Sequence, residues 1–71
     1  VDGVEVGILF KELKDGQVKV SLRSAGAVDV AAIAQSFSGG GHVRAAGCKH
    51  EGPLEQTMLQ VVEAVRKALS N

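Results

Sequence analysis

Three consecutive glycines stand directly before a histidine, and an arginine lies two residues beyond it. These residues are Gly39, Gly40, Gly41, His42 and Arg44. Because glycine has no side chain, backbone N–H groups there can approach a ligand closely, and phosphate is a ligand that such groups favour. His42 and Arg44 would add side-chain donors beside it. The segment predicts a phosphate site, and the alternative interpretation is a flexible turn that merely ends a helix.

The distribution of charge points to the same region. Eight basic and eight acidic side chains give a net charge of zero, but residues 16–50 carry +3, against −2 for residues 1–15 and −1 for residues 51–71. An anionic partner would therefore contact the middle of the chain. Taken alone, Arg23 and Arg44 would be ordinary solvated cations, so their grouping with the histidine carries the prediction.

Cys48 and the two histidines, His42 and His50, could also do chemistry, as ligands of a metal ion. One thiolate and two imidazoles lack a fourth ligand and a standard spacing, so we predict no metal site in this chain. Cys48 fits better as a small buried apolar residue. The chain has only two aromatic residues, Phe10 and Phe37, which are too few for a surface on which bases stack.

Two strands joined by a tight turn are predicted at the start of the chain. Alternating apolar residues indicate one strand over residues 4–13 and a second over residues 17–23. The Asp-Gly pair at 15–16 between them is typical of a hairpin turn. Ser21 and Arg23 would share the polar face of the second strand, with Arg23 at its carboxyl end.

A helix and a short strand should follow this hairpin. Asp29 fits as the N-cap of a helix over roughly 30–37, whose apolar residues recur at helical spacing. The glycines would end that helix, and residues 42–46 would form one further helical turn that Gly47 closes. Residues 46–51 then predict a short strand.

The last helix is predicted to begin at Gly52-Pro53, since proline suits the first position of a helix. Its apolar residues should form one face in the core: Leu54, Met58, Val61, Val62, Val65 and Leu69. This order of elements indicates the α+β class, with helices packed on a small mixed sheet that consists of the hairpin and a third strand. Residues 1–71 would form one domain.

The size of the chain limits what it can do alone. At 71 residues and 7.3 kDa, a domain buries only ~60% of the surface that its unfolded chain exposes, which leaves little room for a self-sufficient enzyme. A single cysteine favours a reducing compartment, and no apolar run approaches the roughly 18 residues of a membrane span. We therefore expect a cytoplasmic protein that does not contact membranes. Because the first residue is Val1, we expect a fragment of a longer chain.

The glycine segment and its surroundings resemble a known family. The resemblance rests on the runs Val20-Ser21-Leu22-Arg23-Ser24, Val28-Asp29-Val30 with Ile33-Ala34, Gly39-Gly40-Gly41-His42 and Arg44-Ala45-Ala46-Gly47-Cys48. Over nearly its whole length the sequence looks like the DHH-associated C-terminal domain of the DHH phosphoesterase superfamily. It is most similar to the branch of oligoribonucleases that also dephosphorylate 3′-phosphoadenosine 5′-phosphate.

The resemblance implies a division of labour between two domains. In the family, an N-terminal domain with an Asp-His-His motif holds manganese, and the C-terminal domain clamps the nucleotide against it. No Asp-His-His triplet occurs in this chain, so the resemblance assigns it no catalytic residue and no metal. The substrate-binding residues that it implies are Arg23, Ser24, Gly39, Gly40, Gly41, His42 and Arg44. The family often has lysine where this chain has Ala25 and Val43, which removes two groups that could bind phosphate.

The function that follows is the substrate-binding half of a manganese-dependent phosphodiesterase. Its partners would be short single-stranded RNA or DNA, or nucleoside phosphates such as 3′,5′-bisphosphates, together with the N-terminal DHH domain and, in a homodimer, a second copy. By itself the chain should hydrolyse nothing. One alternative is the related module that ends alanyl-tRNA synthetases, which serves in tRNA contact and association. Another is a stand-alone interaction domain whose glycines only form a turn.

Overall fold

The computed structural model describes residues 6–26 and 28–69. Two helices pack on a sheet of four strands, which confirms the predicted α+β class. In chain order the elements are β1 (Val6–Glu12), β2 (Gln17–Ser24), α1 (Val30–Ser36), β3 (Gly40–His42), β4 (Ala45–Glu51) and α2 (Leu54–Leu69).

The sheet has the strand order β1-β2-β4-β3, and every neighbouring pair is antiparallel. The expected mixed sheet of three strands is therefore corrected in two respects. A fourth strand, β3, comes from the glycine segment, and no neighbouring pair of the described strands is parallel. The physical reason is the place of β4. The crossover through α1 brings β3 into the same direction as β2, but β4 returns from β3 by a hairpin and lies between the two, so β2 and β3 are not neighbours.

The predicted hairpin between β1 and β2 is confirmed. Gly16 has φ +86°, which glycine adopts at little cost, and the Asp15 carboxylate accepts a hydrogen bond of 3.0 Å from the Gln17 N–H. The first strand was expected over residues 4–13, of which residues 4 and 5 lie outside the described part of the chain.

Alternation along the strands gives the sheet two unlike faces. The core face carries Val18, Val20 and Leu22 of β2, each at most 1% exposed, and both helices cover it. The other face, called the outer face below, carries Lys19 and Arg23 of the same strand and has no helix packed on it. The core therefore lies between one side of the sheet and the helices, and the opposite side meets solvent.

Helix α1 begins where the sequence predicts. The Asp29 carboxylate accepts a hydrogen bond of 3.1 Å from the Ala32 N–H, as expected of an N-cap. The helix ends in a Schellman motif, in which Ser38 adopts φ +66° and the Gly39 N–H donates to the Ala34 carbonyl at 2.7 Å. This motif directs the chain straight into β3.

Helix α2 buries a narrower face than the sequence predicts. Thr57, Val61 and Val65 are buried, whereas Met58 is 40% exposed and Val62 is 49% exposed, so their assignment to the core was wrong. Leu69 is likewise 47% exposed. The apolar residues span more of the helix circumference than one small sheet can cover. Neither described helix is long and apolar enough to cross a membrane.

Candidate phosphate-binding site

The segment after the three glycines forms a β-hairpin. Residues 42–46 were expected to form a helical turn, but His42 ends β3 and pairs with Ala45, the first residue of β4. The prediction failed because one isolated helical turn is unfavourable, whereas Ala45 and Ala46 gain pairing partners on β2 in the sheet. No helix therefore begins at His42, and the N–H groups of a helix start do not contribute to the site.

The hairpin brings His42 into line with Arg23. A single row crosses the outer face from Gly7 through Arg23 and Ala45 to His42. Since neighbouring strands lie ~4.8 Å apart, the Cα atoms of Arg23 and His42 are about 10 Å apart. Only the methyl group of Ala45 stands between them, so the guanidinium and the imidazole can both reach one anion that lies above it.

An open cavity of about 310 Å³ lies beside this row, and we call it the glycine cavity. Arg23 is the one charged residue that lines it, and the other lining side chains are small or absent. The lining residues are Ser21, Arg23, Gly40, Gly41, Ala45, Ala46 and Gly47. Small residues at these positions leave the backbone accessible and leave room for a ligand.

The three glycines have different surroundings. A Cβ atom on Gly39 would collide with the Gly47 carbonyl oxygen, and one on Gly41 would lie 2.6 Å from the Ala46 Cα atom. Gly41 also has φ +145°, which residues with a side chain rarely adopt. A Cβ atom on Gly40 would meet nothing within 4 Å. Packing therefore requires the first and third glycines, while the second leaves open the space that a ligand could fill.

Ser24 and Arg44 lie elsewhere. Ser24 is buried on the opposite face from Arg23, and its hydroxyl is within 3.5 Å of the Gly26 carbonyl oxygen. Arg44 lies in the turn between β3 and β4, where its carbonyl accepts a hydrogen bond of 2.9 Å from the Ser24 N–H. The structure thus brings Arg23, Gly40 and Gly41 to the glycine cavity, with His42 on the adjoining row. It does not bring the Ser24 hydroxyl there.

Cys48 and His50 belong to the core side of the sheet. Burial raises the pKa of the Cys48 thiol, which disfavours the thiolate. The His50 Nδ1 atom lies 3.1 Å from Thr57 Oγ1, and its ring packs edge-on against Phe37. His42 lies on the outer face, so the two histidines and the cysteine do not converge. Among the described residues, no three His, Cys, Asp or Glu side chains group as metal ligands.

Sequence reasoning did not identify four residues that line the cavity, namely Ser21, Ala45, Ala46 and Gly47. The sequence could have indicated Ser21, because the alternation of side chains along β2 places it on the same face as Arg23. Ala45 and Gly47 became visible only with the register of β4 against β2, where Ala45 pairs with Arg23 and Gly47 pairs with Ser21.

Comparison with known proteins supplies the context for this geometry. The sequence matches the family of DHHA1 domains over residues 1–71. It is also 44% identical, over 71 residues, to the bifunctional oligoribonuclease and PAP phosphatase NrnA of Thermus thermophilus. The match covers 99% of this chain but 22% of that relative, so the chain spans about a fifth of its length.

Proposed function

The chain belongs to the DHHA1 domain family and is homologous to part of a DHH-family phosphoesterase, and on this premise we propose that it binds the substrate of such an enzyme. The substrates would be short oligoribonucleotides or nucleoside 3′,5′-bisphosphates. The single observation that carries this proposal is the glycine cavity, which places Arg23 beside exposed backbone and next to the row that ends at His42.

Arg23 and His42 would bind the phosphate of the substrate. A guanidinium can donate two parallel hydrogen bonds to phosphate oxygens, and charge-assisted bonds of this kind are stronger than those between neutral groups. His42 would donate from an imidazole nitrogen on the other side of Ala45. Fixed donors around the phosphate also favour the negative charge that builds up on it during cleavage.

Hydrolysis would depend on a second domain. We assign manganese to an Asp-His-His domain of the same protein, as the resemblance to the DHH phosphoesterases implies. The chain would then contribute binding and orientation but no cleavage. We also expect a cytoplasmic location, since one cysteine cannot form a disulfide within the chain. We also expect a homodimer, and sedimentation would measure this oligomeric state.

The identity to an oligoribonuclease favours this proposal over the module that ends alanyl-tRNA synthetases. The presence of a cavity beside Arg23 likewise favours it over a domain in which the glycines form only a turn. In that last case a short oligonucleotide would leave the amide signals of residues 39–44 unmoved.

A titration of the chain with a 5′-phosphorylated diribonucleotide, followed by NMR, tests the binding role. We expect the amide signals of Gly40, Gly41 and His42 to shift. Arg23→Gln should weaken binding about tenfold, because it removes one charge-assisted interaction with phosphate. Arg66→Gln is the matched control, because it removes the same charge from α2 on the other side of the sheet. Equal weakening by both variants would contradict a site at Arg23.

A hydrolysis assay tests the division between the domains. The chain alone should release no nucleotide from short RNA in the presence of manganese, whereas a protein that joins it to an Asp-His-His domain should. In that longer protein, His42→Ala should lower turnover severely, because it removes a proposed donor to the phosphate. Cleavage by the chain alone, or unchanged turnover in the His42 variant, would refute the roles assigned here.

A further inference from the structure

Three lysines stand side by side across the outer face of the sheet. Lys11 of β1 pairs with Lys19 of β2, and Lys19 pairs with Lys49 of β4. All three residues are exposed. We call them the lysine row. The sequence separates them by 8 and 30 positions, so only the register of the strands reveals that they are neighbours.

This arrangement is unfavourable for the chain alone. Side chains directly opposite each other on neighbouring strands have Cβ atoms about 5 Å apart, and like charges in such pairs destabilise a sheet. No ammonium group of the row forms an ion pair with a carboxylate of a described residue. Glu51, at the far end of β4, is the one acidic residue that shares the outer-face phase of the described strands.

The outer face is therefore strongly basic, although the whole chain is neutral. It carries the lysine row together with Arg23, whereas the described acidic residues other than Glu12 and Glu51 lie outside the strands. An uncompensated row of cations on an otherwise neutral domain indicates a polyanionic partner. The distance of the row from the glycine cavity indicates which phosphate of such a partner the lysines would contact.

The lysine row lies on the same face as the glycine cavity and continues from it. Lys19 is four residues before Arg23 on β2, which is about 13 Å along the strand. The intervening row consists of Leu9, Ser21, Gly47 and Gly40 and carries no charge. A phosphate held by Arg23 would thus be too far away for the lysines to neutralise. A second phosphate, further along the backbone of the same nucleic acid, could reach them.

We propose that the lysine row binds an internal phosphate of a single-stranded oligonucleotide whose terminal phosphate occupies the glycine cavity. The proposal rests on the proposed function and extends it from one phosphate to a track along the sheet. The neutral row between the two sites would contact the ribose and base. Leu9, which is 68% exposed, would provide an apolar contact there. A nucleoside bisphosphate carries both phosphates on one ribose and should engage the lysine row far less.

Binding of a series of ligands of increasing length tests this proposal. Calorimetry or NMR titration of the full chain would compare adenosine 3′,5′-bisphosphate with RNA of two, three and five nucleotides. We expect Lys19→Gln/Lys49→Gln to weaken binding of the pentanucleotide about tenfold and to change binding of the bisphosphate less than about twofold. The slope of log Kd against log salt concentration should fall by about 0.7 for each phosphate that the variant no longer neutralises.

Two controls separate this proposal from folding and from the proposed function. Arg66→Gln/Lys67→Gln removes the same charge from α2 and should leave affinity for every ligand unchanged. The thermal unfolding midpoint of the lysine variant should not fall, because like charges are removed from a sheet face.

The outcomes are distinguishable. If Arg23→Gln weakens every ligand while the lysine variant weakens none, the lysine row has no role in RNA binding and the proposed function stands. An acidic protein surface would then be the partner of the row. Equal losses for the bisphosphate and the pentanucleotide would also overturn the proposal. If the unmodified chain binds none of the ligands, both proposals fail.

Discussion

Gly39, Gly40 and Gly41 are adjacent in the sequence, but a side chain at each position would meet different surroundings. The sequence predicted that this run brings backbone close to a ligand. It could not predict that Gly39 and Gly41 instead lie against β4, because that depends on the pairing of β3 with β4. Only Gly40 faces open space beside the cavity. The role of a glycine in a run is thus decided by tertiary contacts that are remote in sequence.

Replacement of these glycines by alanine should separate folding from binding. Gly40→Ala should change the free energy of unfolding by less than about 1 kcal/mol and weaken nucleotide binding, since its methyl group would occupy the cavity. Gly39→Ala should lower stability by about 3 kcal/mol, because the new Cβ atom would lie 2.5 Å from the Cys48 Cβ atom and would also press on backbone. Urea denaturation and nucleotide titration of both variants measure the two effects. Normal binding by a folded Gly40→Ala chain would argue against the cavity as the site.

At the scale of elements, the hairpin of β3 and β4 is a structure that the local sequence pattern did not predict. Residues 42–46 have helix-compatible side chains, yet they complete a sheet whose other strands lie earlier in the chain. By contrast, the β1–β2 hairpin and α1 carry their own local signals, an Asp-Gly turn and an Asp N-cap, and both were predicted correctly. Elements with local signals were predictable, and the element that carries the glycines was not.

Helix α1 should depend strongly on its cap. It has only seven residues, which is too short to be stable without tertiary contacts, and Val30, Ile33 and Ala34 anchor it in the core. Its first N–H, that of Val30, already donates to the Val43 carbonyl at 2.9 Å, so the helix start also holds the β3–β4 turn.

Asp29→Ala should therefore lower the free energy of unfolding by about 1 kcal/mol, the usual effect of a lost N-cap. Asp29→Asn, which can still accept the hydrogen bond from the Ala32 N–H, should keep most of that stability. Chemical denaturation of the two variants provides the comparison. Identical losses in both would show that charge at this position, and not capping, stabilises the helix.

At the scale of the whole molecule, one face of the sheet packs against the helices, and the other face, which we propose as the binding surface, is open to solvent. β2 serves both faces, because Val18, Val20 and Leu22 alternate with Lys19, Ser21 and Arg23 along it. The sequence predicted this alternation and the basic middle region. It could not predict that Lys11 and Lys49 flank Lys19, since strand order is set by how the chain returns. The zero net charge of the chain thus conceals a basic face.

Leu22→Ala should unfold much of the protein, although Leu22 contacts no ligand. It is 1% exposed at the centre of the sheet, between Ser21 and Arg23, and its truncation should cost about 3 kcal/mol. A domain of this size has only about 5 kcal/mol of stability in total, so that loss would leave a substantial unfolded population near physiological temperature. Arg23→Gln, one residue away on the opposite face, should instead keep the wild-type unfolding midpoint and weaken binding about tenfold. Circular dichroism melts of the two variants, with nucleotide titration of each at low temperature, would compare them. A well-folded Leu22→Ala chain that fails to bind would mean that the two faces of the sheet do not divide folding and binding as described.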